Sequence, residues 1–377
     1  MTDFLLVKNK MEDGVEKGIF PGAVLFVSKG EDLVFHKACG FRSILPKKEV
    51  MSEHTFFDIA SLTKIVATTT AIMLLIKEDK LNIENKVSSF IPDFSSKEKE
   101  VITIRHLLNH CAGLPDWFPF YKELLEKKDS SICICKKEAK QYIYQRANRE
   151  PLVYSPGENY KYSDIGFIIL GEIIEIITGK SLDKFCEEKI LNPLSLSDTF
   201  FCNLLEENSL FAAKKRDSFF ASTENCSWRE KVLEGEVHDD NAYAMGGVAG
   251  HSGLFSTGSD LNRFAVEILR CYKGDGKFLP QRIVKEFFLR QNIVRASSWA
   301  LGWDTPSPGI STSGHYFSKK SVGHLGYTGT SIWIDLEREI IVTLLTNRVH
   351  PTREARGFAK FRPEIHDLIM KELGVCE

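Results

Sequence analysis

The sequence predicts a mixed α/β fold of the α+β kind: an antiparallel sheet flanked by helices, built from both ends of the chain, with a large and mostly helical insert between them. Three observations predict it. Two β-rich runs, Gly22–Ser28 and Asp32–Cys39, lie near the start and are separated by Lys29-Gly30-Glu31, a turn sequence that makes them a hairpin. Two more, Ser331–Asp335 and Glu339–Thr346, lie near the end and flank the short polar turn Leu336–Arg338. Between the two pairs the apolar residues recur mostly at helical spacing. The expected division is residues 1–60 with 296–377 as one discontinuous α/β domain and 61–295 as the insert, with a site at their junction.

Taken in order, the first hairpin is followed by the β-leaning run Thr55–Ile59, which leads into Ala60-Ser61 and then into an almost uncharged helical stretch, Ile65–Lys77. Further helices are expected at Ile104–Asn109, Lys136–Arg146, Ile165–Thr178, Leu182–Ile190 and Asp260–Tyr272. Asp164 has the residue type and position of an N-cap for the Ile165–Thr178 helix, and Thr178-Gly179-Lys180 reads as its stop. Ser181 is expected to cap the next helix. After the second hairpin, the apolar residues following Pro363 fall at helical spacing, giving a closing helix with proline in its first turn. No Gly/Ser-rich or Pro-rich linker interrupts the chain, no repeat is present, and the only biased tract is the charged run Ser95–Glu100.

The 377 residues are 43% hydrophobic and 27% charged, the composition of a soluble chain with a large core. With 49 Lys+Arg against 51 Asp+Glu there is no basic surplus to hold nucleic acid or an anionic membrane surface, so neither is an expected partner. The start, MTDFLLVKNKMEDG, lacks the order of a secretory signal, and the apolar stretches Ile65–Ile76 and Ile165–Ile177 are too short or too interrupted to span a bilayer. Nine cysteines, an odd count in a chain of this size, favour reduced thiols and a cytoplasmic setting over a disulfide framework. Cys133 and Cys135 form a C-x-C pair without the second pair a zinc site needs.

An S-x-x-K tetrapeptide puts a hydroxyl and an amine on one helical face, so that the amine can assist a serine nucleophile. It occurs three times, at Ser61–Lys64, Ser96–Lys99 and Ser181–Lys184. Only the first lies at the start of a buried helix, where free backbone N–H groups favour developing negative charge and desolvation lowers the pKa of Lys64. A capping serine beside a snorkelling lysine is the plain alternative. A second element is Tyr154–Asp164, a Pro- and Gly-containing turn that presents Tyr162 on a rigid loop against a helix start; Tyr154 and Tyr160 read as packing residues. A third is the glycine-rich stretch Gly323–Thr330 before the strand at Ser331, where a ligand backbone can approach closely. No Walker or dinucleotide-binding pattern is present.

Ser61-Leu62-Thr63-Lys64, Tyr162-Ser163-Asp164 and His324-Leu325-Gly326, in this order, resemble the three-motif signature of the serine β-lactamase and penicillin-binding-protein superfamily. The likeness is greatest to the class C β-lactamase-like branch, which includes esterases and D-alanyl-D-alanine carboxypeptidase-like proteins. The resemblance implies a cofactor-free serine hydrolase acting on a small-molecule or peptide substrate, an ester or a D-amino-acid-containing amide. It implies that Ser61 is acylated, that Lys64 and Tyr162 move protons, and that the amides of Ser61 and Tyr327 hold the oxyanion. Asp164, His324 and Gly326 would contact substrate. Two departures stand out. His324 replaces a lysine common in the superfamily and, with a pKa of about 6.5, is mostly neutral near pH 7. Asp164 replaces an asparagine, and if it reached Lys64 it would favour the protonated amine.

A binding or sensing protein that keeps the fold and loses turnover is the rival reading. A third is a metallohydrolase using His106 and His110, an i,i+4 pair beside Cys111, although the resemblance puts that stretch in a structural turn. His238, Asp239, Asp240 and His251 fall in a loop-rich region, where they either line the substrate cleft or, as favoured, hydrogen-bond the loop.

Overall fold

The computed structural model describes residues 4–94, 96–126, 133–206 and 219–375. Six antiparallel strands form its main sheet: β1 (Gly22–Lys29), β2 (Asp32–Ser43) and β3 (Glu49–Val50) from the start of the chain, and β9 (Val322–Gly326), β10 (Thr330–Asp335) and β11 (Ile340–Thr346) from its end. Their order is β3-β2-β1-β11-β10-β9, so the two predicted hairpins meet where β1 pairs with β11, Leu25 opposite Leu344. Between them lie the short strands β4 (Phe57–Asp58), β5 (Phe200–Phe201), β6 (Asn225–Cys226), β7 (Lys231–Val232) and β8 (Leu254–Ser256), of which β4, β8 and β5 form a second small sheet.

Alternation along β1 sorts its side chains onto two cores. Ala23, Leu25 and Val27 join Trp333, Val342 and Leu344 under the terminal helices Leu5–Glu16 and Phe358–Glu372, packed against Val7, Met11, Phe361 and Ile365. Val24 joins Ile332, Ile334, Ile341 and Leu345 on the opposite face, continuous with the core of the helical region. Each such aliphatic side chain contributes roughly 1.5–3 kcal/mol by burial. Within the helical region, the Asp164–Thr178 helix is apolar on nearly every face because it is enclosed, and it stops at Gly179, whose φ of 66° is the left-handed conformation a C-cap favours.

Several boundaries differ from the sequence expectation. Ser163, not Asp164, is the N-cap of the Asp164–Thr178 helix: its side chain accepts from Gly166 N, which moves Asp164 into the first turn. Ser181 does precede the next helix but makes no side-chain capping bond. Pro363 lies inside the Phe358–Glu372 helix, which starts five residues earlier than its apolar spacing suggested. The glycine-rich stretch Gly323–Thr330 divides: Val322–Gly326 is the edge strand of the main sheet and residues 327–329 form a turn before the next strand. The helices Leu5–Glu16, Phe120–Glu126, Asp240–Ala244 and Gln281–Phe288 were not anticipated. The first of these buries only Val7, Met11 and Gly14, too few positions to stand out by period. Tyr160 is exposed rather than packed.

Among the described residues no helix is long and apolar enough to cross a membrane. Their eight cysteines form no disulfide with one another; Cys133 is exposed and Cys135 donates to Tyr243 O at 3.1 Å. Ser95 and the ninth cysteine, Cys376, lie outside the described residues.

Candidate active site

Ser61 stands on a turn held by its surroundings. Strand β4 ends at Asp58, Ala60 takes a left-handed φ of 46°, and the helical run begins immediately after Ser61. That conformation costs alanine about 1 kcal/mol. The Asp58 carboxylate holds it, accepting from Ala60 N at 2.8 Å and from His238 N at 2.6 Å. The same turn is laced to the sheet: Thr328 Oγ1 donates to Asp58 O at 2.7 Å and Thr330 Oγ1 to Ile59 O at 3.1 Å. Gly326 permits this approach, because a Cβ there would lie 2.6 Å from Ile59 O. Ser61 and Tyr327 therefore face one cleft from the two parts of the fold.

Lys64 opens a π-helical segment, Lys64–Thr69, and is fully buried. Its three ammonium hydrogens meet three acceptors: Ser61 Oγ at 2.9 Å, His251 O at 3.0 Å and Asp164 Oδ1 at 2.6 Å. Burial alone pushes the amine pKa down, in line with the sequence expectation, but Asp164 and Tyr162 outweigh it and the net shift is upward. The resting lysine is an ammonium ion, and the expected lowering is reversed. The Tyr162 ring lies 5.0 Å from Lys64 Nζ, and its phenol interacts with the side chains of both Lys64 and Ser61. Burial raises its pKa; Lys64 pulls it down and Asp164 pushes it up again, leaving a protonated phenol.

The residue that places Tyr162 was not recognised for that role from the sequence. His110 has φ 57° and is buried; its carbonyl accepts from Lys161 N at 2.9 Å and its Nδ1 from Ser163 N at 3.1 Å. Its ring also packs between Tyr162, at 4.7 Å, and Trp299, at 4.5 Å. Burial, together with the charge on Lys64, keeps its pKa well below the usual histidine range, so it acts as a neutral acceptor. His106 serves the backbone instead, its Nδ1 accepting from Thr103 N at 3.1 Å in a capping box. The two imidazoles do not converge, and among the described residues no group of three or more His, Cys, Asp or Glu side chains is arranged to hold a metal.

The cleft measures about 960 Å³ and is lined by Ser61, Tyr162, Asp164, Trp299, His324 and Tyr327, among others. His324 is 1% exposed; its Nδ1 donates to Leu325 O at 2.8 Å, and its Nε2 has no partner. Burial and the nearby Lys64 depress its pKa to about 3, so it is a neutral ring at any working pH. The loop residues His238, Asp239, Asp240 and His251 both line the cleft and bond one another's surroundings, so the two readings of them are not exclusive. His251 Nε2 pairs with Asp239 Oδ1 at 2.9 Å, and Asp239 also caps the Asp240–Ala244 helix.

Comparison with known proteins adds a lineage to this geometry. Residues 7–364 match the family model described as Beta-lactamase. The chain is 32% identical to an N-acetylmuramyl-L-alanine amidase of Bacillus subtilis (strain 168), over 90% of its own length and 81% of the relative's. It is 30% identical to a putative D-alanyl-D-alanine carboxypeptidase of Escherichia coli (strain K12), over 91% and 82%. Among solved structures, the octameric penicillin-binding protein homologue from Pyrococcus abyssi superposes with a TM-score of 0.75 at 20% identity, covering 99% of this chain and 78% of the other. EstCE1, a hydrolase with promiscuous acyltransferase activity, gives 0.73 at 19%, covering 96% and 97%. At these identities the structural likeness speaks for the fold.

Proposed function

The chain belongs to the Beta-lactamase family, and from that premise we propose that it is a serine hydrolase that opens an amide or ester through an acyl-Ser61 intermediate. The observation that carries this reading is the Ser61 Oγ to Lys64 Nζ contact of 2.9 Å, with Tyr162 interacting with both partners. Ser61 Oγ forms a bond to the substrate carbonyl carbon, and the carbonyl π pair moves onto oxygen. The amides of Ser61 and Tyr327 hold that oxyanion, a contribution of roughly 3–4 kcal/mol per donor. The Ser61 proton passes into the Lys64–Tyr162 pair. Tyr162 delivers a proton to the leaving nitrogen or oxygen as its bond to carbon breaks, and water then cleaves the acyl-serine ester by the same steps reversed.

Lys64 accepts a proton only after its ammonium has lost one to solvent, and the Asp164 carboxylate at 2.6 Å opposes that loss by holding the pKa of Lys64 up. This makes acylation slow at neutral pH and faster as pH rises. The names of the relatives direct the substrate reading toward D-amino-acid-containing or muramyl amides, and the free thiols favour a reducing, cytoplasmic setting. Intact mass after incubation with p-nitrophenyl acetate, benzylpenicillin and a D-Ala-D-Ala peptide tests the proposal. An acyl adduct or turnover that disappears in Ser61→Ala is the expected result; unchanged labelling of that variant overturns the nucleophile assignment.

The Lys64–Asp164 contact also supports the second reading, a ligand sensor that acylates once and turns over poorly. An adduct that persists without product release would mark it.

A further inference from the structure

Trp117 stands apart from the other tryptophans. Trp303 and Trp333 are buried, whereas Trp117 is 41% exposed and lines the cleft together with Ser61 and Tyr162. Among the described residues neither an aromatic ring nor a cation covers its indole. The loop that carries it is nevertheless tied down on both sides. The Pro115 carbonyl accepts from Ser163 Oγ at 2.6 Å and the Asp116 carbonyl from Asp164 N at 2.8 Å; beyond Trp117, the Phe118 carbonyl accepts from Asn241 Nδ2 at 2.8 Å. Through Ser163 and Asp164 the same loop is joined to the segment that presents Tyr162. An indole held open on a fixed support is a surface prepared for a ligand, because neither the ring nor its backbone has to be ordered when the ligand arrives.

The polar groups nearby narrow the chemistry of that ligand. The Asp116 carboxylate meets Lys161 Nζ at 3.0 Å, and both side chains are about half exposed. The pair sets a hydrogen-bond acceptor and a donor next to the indole and carries no net charge. His324 adds the unmet Nε2 lone pair to the same cleft. A ligand that fits has an apolar face for the indole and, at its edge, groups that both donate and accept. An aliphatic chain satisfies the ring but takes water from the ion pair and returns no hydrogen bond, which is unfavourable. A charged group gains little from a neutral pair. The C–H face of a pyranose ring suits the indole, while its hydroxyls donate to Asp116 and accept from Lys161.

We propose that Trp117, with Asp116 and Lys161, is the platform on which a pyranose ring of the substrate rests, so that the hydrolase selects sugar-bearing amides or esters over their sugar-free counterparts. Trp117 is a specificity residue in this arrangement and moves no proton. Because the Asp116 carbonyl is bonded to the Asp164 amide, ring and scissile bond are held on one rigid unit. The inference rests on the acyl-Ser61 reading for its kinetic consequence and on the cleft alone for binding.

The test has two arms. In the first, kcat/KM is compared for N-acetylmuramoyl-L-alanine and for O-methyl-D-lactoyl-L-alanine, which keeps the lactoyl amide and lacks the sugar. The sugar-bearing amide is expected to be favoured about tenfold or more. Trp117→Ala is expected to remove the preference by slowing that amide alone, Trp117→Phe to retain part of it, and Asp116→Asn, which keeps the backbone carbonyl, to weaken it. No preference, a preference that survives Trp117→Ala, or an equal loss for both amides overturns the platform. The second arm follows binding of methyl N-acetyl-β-D-glucosaminide and of cyclohexanol at millimolar concentration by saturation-transfer NMR. Sugar contact that vanishes in Trp117→Ala at unchanged Tm supports the platform; no sugar contact, or contact with cyclohexanol in its place, overturns the sugar assignment. If neither amide is cleaved and p-nitrophenyl acetate leaves no adduct, the acyl-Ser61 reading fails while the NMR arm still decides the platform.

Discussion

The two walls of the cleft are built on opposite plans. On the helical wall the groups around the nucleophile are held from within: Lys64 has three acceptors, Asp164 has Lys64, and His110 ties down the loop that carries Tyr162. On the wall formed by the end of β11 and the C-terminal helix, Arg348 and Arg362 are left without carboxylates among the described residues. A group that must hold one geometry through a proton transfer is fixed by several partners at once, whereas the two arginines of the other wall are held by a carbonyl and ring contacts alone.

Substitutions on the helical wall break this comparison most severely. Ser61→Ala is expected to remove the acyl adduct and to reduce turnover by about a thousandfold or more, measured by intact mass and steady-state rates. Tyr162→Phe takes away the phenol but not the ring that packs on His110, and is expected to cost on the order of a hundredfold or more in kcat with little change in Tm. His110→Ala removes the acceptor of Ser163 N and one side of that ring contact; a loss of roughly ten- to a hundredfold in kcat is expected with a smaller change in KM. A purely structural His110 would show itself as a fall in Tm with normal kcat.

Asp164→Asn sharpens the comparison without removing a proton carrier. Asp164 holds the Lys64 pKa above its ordinary value, so the amide lets that pKa fall. The rising limb of the pH–kcat/KM profile is then expected to move to lower pH, with a gain at neutral pH; a limb that stays in place would exclude Lys64 as the group being titrated. The smallest effect is expected for Ala60→Gly. Glycine accepts the left-handed φ of 46° but loses more entropy on folding, so the net change in stability is within about 1 kcal/mol, read by denaturant unfolding.

Much of the fold was legible because its signals are local. The two hairpins and the Ile165–Thr178 stretch declared themselves by period and by turn residues, and all three are present, with β2 running four residues beyond its expected end and the other bounds within a residue. Ser61, Lys64 and Tyr162 were legible as motifs, and they do converge. What escaped depends on distance through space. His110 lies far from Tyr162 along the chain and acts on its loop through one ring nitrogen and one carbonyl, neither of which has a sequence period. Ser163 caps the helix although both residue types cap well, and the Asp164 carboxylate is engaged instead by Lys64, a hundred positions away. The absence of carboxylates around Arg348 and Arg362 among the described residues has no local signature at all.

The pairing of β1 with β11 sets a rule for the order in which this molecule can be completed. Leu25 waits for Leu344, and the Ser61 turn waits for Thr328 and Thr330, until most of the chain has been synthesised. On a ribosome the nucleophile emerges early, beside a sheet with an open edge, and the cleft closes only with the last strands. A nascent chain therefore carries Ser61 for much of its synthesis without the Thr328 and Thr330 contacts that hold its turn against the sheet.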